Sequence, residues 1–138
     1  MRAWRFIFGL IAIALAPIAR ADNCNNAPDQ TSMNECSAKA SKRADDELNL
    51  LYQRIMGRLK EGGADWADAH TALVAAQRAW IAFREAECAF VGSSTAGGTI
   101  GPTIVASCLT DLTNDRINDF KRYLKCKEGD LSCPLPPK

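Results

Sequence analysis

The stretch LVAAQRAWIAFREAECAF, Leu73 to Phe90, constrains the fold more than any other part of the chain. Leu73, Ala76, Trp80, Phe83 and Phe90 recur at helical intervals, so the spacing predicts a helix whose apolar face another element must cover. Gln77, Arg78, Arg84 and Glu85 make the segment polar on its other side, and Cys88 near its end can tie it covalently to a later segment. The covering elements are available on both sides in sequence.

Upstream, Ser32 precedes Met33 with Glu35 three places on, the capping-box pattern of a helix start. Met33, Cys36, Ala40, Ala44, Leu48, Tyr52, Ile55 and Leu59 then keep a three-to-four spacing until Gly62-Gly63. A helix of that span is roughly 40 Å long and must run beside another to bury its stripe. The second helix is expected from an N-cap at Asp65 to about Val91, and the short glycine connection makes the first two an antiparallel hairpin. GSSTAGGTIGP, Gly92 to Pro102, breaks the pattern, its glycines and serines opposing helix. A last helix is expected from Pro102 to about Lys125, with Val105, Cys108, Leu109, Leu112, Ile117, Phe120 and Leu124 on its apolar side. No segment reads as a strand. The fold class predicted is all-α, an antiparallel three-helix bundle stapled by disulfides.

The first residues read as an export signal. Arg2 and Arg5 precede an apolar run from Phe6 to Ala16, Pro17 breaks it, and Ala19-Arg20-Ala21 fits a signal-peptidase site. The apolar run is short of the ~20 residues of a membrane span, and Ala21-Asp22-Asn23 before Cys24 does not fit a lipid-attachment box. The expected organisation is therefore a signal peptide over 1–21, a helical domain over 22–125 and a Cys/Pro-rich tail over 126–138, in a periplasmic or secreted protein without a stable membrane anchor. Losing Arg2, Arg5 and Arg20 leaves 14 basic against 16 acidic side chains, a net charge of −2 with no basic patch, which argues against nucleic acid as a partner.

Six cysteines in an exported chain of this size read as a disulfide framework. Six thiols allow fifteen pairings, and the sequence does not choose among them. Sequential pairing would close three local loops, Cys24 with Cys36, Cys88 with Cys108 and Cys126 with Cys133. No Cys-x-x-Cys pair occurs and His70 is the single histidine, so no metal or other cofactor is expected.

Catalytic constellations are missing. His70 has no serine or cysteine nucleophile at a suggestive spacing. Glu85 and Glu87 point to different sides of a helix and do not make a glycosidase pair. The Gly-rich loop lacks the lysine and following hydroxyl of a phosphate loop. Binding is the expected role, not catalysis. Asp111, Asp115 and Asp119 line one side of the last helix, either as a solvated face or to meet a cationic partner. The loop with Ser93, Ser94, Thr95 and Thr99 is either a plain connection or a pre-ordered projection whose hydroxyls enter a polar cleft. Glu87 on an apolar stripe needs a partner, and Arg84 lies one helical step behind it.

The blocks MNECSAKASKRADDELNLLY, AQRAWIAFREAEC, the Gly97-Gly98 loop and CLTDLTNDRINDF, in that order, resemble the bacterial family of exported domains named after the lysozyme inhibitor LprI. The resemblance spans about Cys24 to Leu124, and its matching positions include Asp45, Asn49, Gln77, Trp80, Arg84, Gly97, Gly98, Thr113 and Arg116. It implies a helical, disulfide-bonded exported domain that inhibits lysozyme. Asp45, Asn49, Gln77, Arg84, Glu87 and Arg116 are expected in a polar network joining the helices. Ser93 to Thr99 with Gly97 and Gly98, together with Asp111, Asp115 and Asp119, are expected to face the partner, lysozyme or another envelope protein. A structural or adaptor module of the envelope, binding protein or peptidoglycan without inhibiting, is the alternative.

Overall fold

A computed structural model describes residues 23–127 and 129–136. The expected signal peptide lies outside the described residues. Three long helices make the fold: α1, Gln30–Glu61; α2, Ala67–Gly92; and α3, Gly101–Leu124. Each runs antiparallel to the next, so α1 and α3 are parallel: Thr103 donates to Asn34 near their N-termini, and Tyr52 stacks on Phe120 toward their C-termini. This is the all-α, three-helix, disulfide-stapled bundle expected.

The cap of α1 differs from the expected one. Asp29, not Ser32, is the N-cap, its carboxylate accepting from the Ser32 N–H at 2.8 Å and the Ser32 hydroxyl at 3.1 Å. Both residue types cap well, but the earlier start brings Gln30 into the first turn, where its Nε2 reaches Asn34 and Thr103 on α3. Likewise Asp65 lies inside a 3-10 turn, Gly63–Trp66, and α2 starts at Ala67 without a side-chain cap.

The core sits between α1 and α3. Ala44, Leu48, Leu51, Ile55 and Leu59 from α1 meet Ile117 and Phe120 from α3, all buried. Each large side chain removed from water contributes about 1.5–3 kcal/mol. The tail belongs to the same core: Leu135 is buried there, and Arg58 Nη2 donates to the Pro136 carbonyl. Disulfides join Cys24 to Cys36, Cys88 to Cys108 and Cys126 to Cys133, leaving no cysteine free.

The largest departure is the rotation of α2. It packs mainly on α3 and much less on α1. Its buried residues are Gln77, Arg84, Cys88 and Gly92, whereas Phe83 is 54% and Phe90 73% exposed. Leu73 and Trp80 are half-buried, so the stripe read from the sequence mixes two faces. Cys88 settles the rotation: bonded to Cys108 and buried, it turns the line through Gln77 and Arg84 inward and the two phenylalanines outward.

Candidate functional site

Two polar arrangements stand out. The first joins the helices at mid-bundle. Arg84 Nη1 donates to Asp45 on α1 at 2.5 Å and to the buried hydroxyl of Thr113 on α3 at 2.8 Å, while Nη2 bonds Glu85 at 2.8 Å. Burial of this guanidinium lowers its pKa, but the hydrogen bonds and charges of Glu85 and Asp45 outweigh that and hold it above its ordinary value. It is a permanent cation. One turn back on α2, Trp80 has two guanidinium groups near its ring, Arg84 at 5.0 Å and Arg116 at 6.0 Å from the ring centre. Arg116 in turn donates through Nε to Gln77 at 3.2 Å.

Asp45, Gln77, Arg84 and Arg116 therefore meet in one region. Asn49 and Glu87 do not. Asn49 is exposed on α1, and Arg84 turns to Asp45 and Glu85 instead of Glu87 because the inward rotation of α2 aims it at the other two helices. Thr113, the hydroxyl at the centre, carries no signal in a single sequence beyond its place on a helix; only the family resemblance marks it.

The second arrangement is the loop between α2 and α3. It forms a 3-10 turn over Ser93–Thr95 where the glycines and serines suggested no helical turn, and Gly97 takes φ +79°, a conformation glycine adopts without strain. Thr95 Oγ1 donates to the Gly92 carbonyl at 3.0 Å, and the Gly98 N–H donates to the Thr95 carbonyl at 3.0 Å. Asn34 Nδ2 reaches across from α1 to the Thr99 carbonyl at 3.0 Å, while Thr103 Oγ1 donates to Asn34 Oδ1 at 2.6 Å. The Cys88–Cys108 bond closes the base. Asn34, which reaches the loop, and Gln30 and Thr103, which hold Asn34, were not legible as its support because Asn34 lies 65 positions from Thr99 and 69 from Thr103.

Beside the loop is an open recess of about 910 Å³, with Ser93, Thr95, Gly97 and Gly98 on one wall and Ser41, Lys42 and Asp45 of α1 on the other. Ser94 and Thr99 are exposed on the same loop without lining the recess. The aspartates of α3 are not gathered here. Asp111 and Asp115 are exposed along the helix, and Asp119 lies 18 residues past Gly101, about 27 Å along the axis. Asp119 is also engaged, accepting from Arg122 at 2.8 Å with Arg116 at 3.6 Å.

Among the described residues no helix is long and apolar enough to cross a membrane, and no group of three or more metal-ligating side chains is present. Comparison with known proteins gives a family match, Lysozyme inhibitor LprI, over residues 21–120. An uncharacterized protein of Rhizobium meliloti (strain 1021) is 34% identical over 114 residues, covering 78% of this chain and 82% of that protein. No solved structure matches the chain. The family match takes in all three helices up to Phe120 and the loop they hold, and the chain belongs to the LprI lysozyme inhibitor family.

Proposed function

We propose that this protein acts outside the cytoplasm as a lysozyme inhibitor, presenting the Ser93–Gly98 loop to the enzyme's cleft. The observation that carries the reading is the family match over residues 21–120. The loop supports it physically. Ordered by a disulfide and by the Asn34 bond to Thr99, it has little conformational freedom left to lose on binding.

The cleft of a lysozyme holds two carboxyl groups that flank the scissile bond. Ser93 and Ser94 are exposed, and their hydroxyls make no hydrogen bond within the described residues, so they are free donors for such carboxylates. Asp111 and Asp115, exposed along α3, supply a long-range field that draws in a cationic enzyme. Asp119, already held by Arg122, contributes less.

The test is a cell-wall lysis assay with the chain purified from the periplasm of an expressing bacterium. Slowing of lysis by micromolar protein is expected, weakened by Ser93→Ala with Ser94→Ala. Asp111→Asn with Asp115→Asn should slow association and flatten its salt dependence while leaving dissociation nearly unchanged. Lysis at an unaltered rate would remove the proposal.

A further inference from the structure

The outward side of α2 carries an apolar strip nineteen residues long, Ala72 to Phe90. Ala72, Ala76, Ala79, Phe83, Ala86 and Phe90 follow one another at four, three, four, three and four positions, the 3.5-residue period by which one helix packs along another. All six are exposed, and Ala75, Ala82 and Ala89 beside them are exposed as well. No charge falls within the strip. Arg78 and Glu85 lie beyond one border of it, and Glu87, four residues after Phe83 and three before Phe90, lies at the other. Among the described residues nothing covers this face, because Gln77, Arg84 and Cys88 occupy the inward side.

We propose that a second copy of this chain covers it, α2 packing antiparallel on α2 about a two-fold axis at the level of Ile81. The strip is complementary to itself in that register. Phe83 falls opposite the partner copy's alanine at position 79, Phe90 opposite the one at 72, and Ala76 opposite the one at 86, so each large ring meets a methyl group. The alanines let the helix axes approach to the short end of the usual 8–10 Å range. In the same register the charges along the Arg78 border alternate in sign: Arg78 of each copy lies one residue's rise, about 1.5 Å along the axis, from Glu85 of the other. A two-fold pair with the helices parallel would set Phe83 beside Phe83 and carry the Arg78 and Glu85 borders of the two copies to opposite sides of the interface, where they do not meet. Charge and size both select the antiparallel pair.

A single helix pair about 27 Å long is a small interface, so the association is expected to be weak and concentration-dependent. Sedimentation equilibrium of the periplasmic protein from about 5 to about 500 µM should show the mass rising from one chain toward two. Phe83→Glu with Phe90→Glu should hold it at one chain with helix content and disulfides unchanged, since both side chains are already in water. Register is read separately by air oxidation of single-cysteine additions: Ala82→Cys, beside the axis, should give a crosslinked dimer, and Ala75→Cys, about 18 Å from its symmetry mate, should not. A single-chain mass at every concentration would overturn the proposal. So would a dimer that survives the double glutamate variant, or equal crosslinking at positions 75 and 82.

Discussion

Arg84 on α2 donates to the hydroxyl of Thr113 on α3 at 2.8 Å, at a point where Thr113 is fully buried. This bond, with the one to Asp45, places a cation between the three helices and makes it the joint between α2 and the α1–α3 pair. Arg84→Ala should destabilise the fold by about 2–3 kcal/mol, below the ~3–5 of a fully buried pair, because Asp45 keeps 41% of its side chain in water. Arg84→Lys should recover little of this, since an ammonium cannot reproduce the fork that spans Asp45, Thr113 and Glu85. Urea denaturation measures both.

Replacing Cys88 and Cys108 together by alanine should cost about 3 kcal/mol, the chain entropy released by opening a 20-residue loop. The same variant should lose protection from hydrogen exchange at Ser93–Gly98 first, as the base of that loop is no longer fixed. Equal loss of protection throughout all three helices would contradict the role given to this bond.

Gly92 is buried where α2 crosses α3, and a methyl group there would lie 2.5 Å from Val105 Cγ2. Gly92→Ala should therefore cost about 1–3 kcal/mol by overpacking. Adding Val105→Ala removes the obstructing methyl and should restore part of the loss, a coupling that a double-mutant cycle reads directly.

Asp29 titrates with the fold. The hydrogen bonds it accepts from the Ser32 N–H and hydroxyl hold its carboxyl below the usual carboxylate range. A carboxyl whose pKa is depressed on folding stabilises the native state above its unfolded value, near 3.9, and that contribution disappears as pH falls through the folded value. Asp29→Asn keeps a capping oxygen without the titration. The thermal midpoint of the native protein should fall relative to that variant below about pH 4, and the two should run parallel above pH ~5.

The α1 and α3 stripes were legible because Leu48, Ile55, Ile117 and Phe120 each sit on one unmistakable apolar line. The α2 stripe was not. Leu73 and Trp80 lie about 40–100° around the helix from Ala76, Phe83 and Phe90, so spacing alone merges an inward-leaning row with an outward one. What separates them is Cys88, and its bond to Cys108 is one of the pairings a sequence leaves open. Leu135 was hidden for a different reason: a short proline-rich tail has no periodicity to announce that it closes the core. The Ser93–Gly98 loop could be found by its composition, but not the Asn34 and Thr103 side chains that hold it, since those contacts are between distant positions.

The most direct test of the account is hydrogen exchange of the protein with and without lysozyme, resolved to single amides. Slowed exchange centred on Ser93–Gly98 is predicted. Slowing confined to Ala72–Phe90 or to Asp111–Asp119, or no change on adding the enzyme, would contradict the assignment of the loop as the surface that meets it.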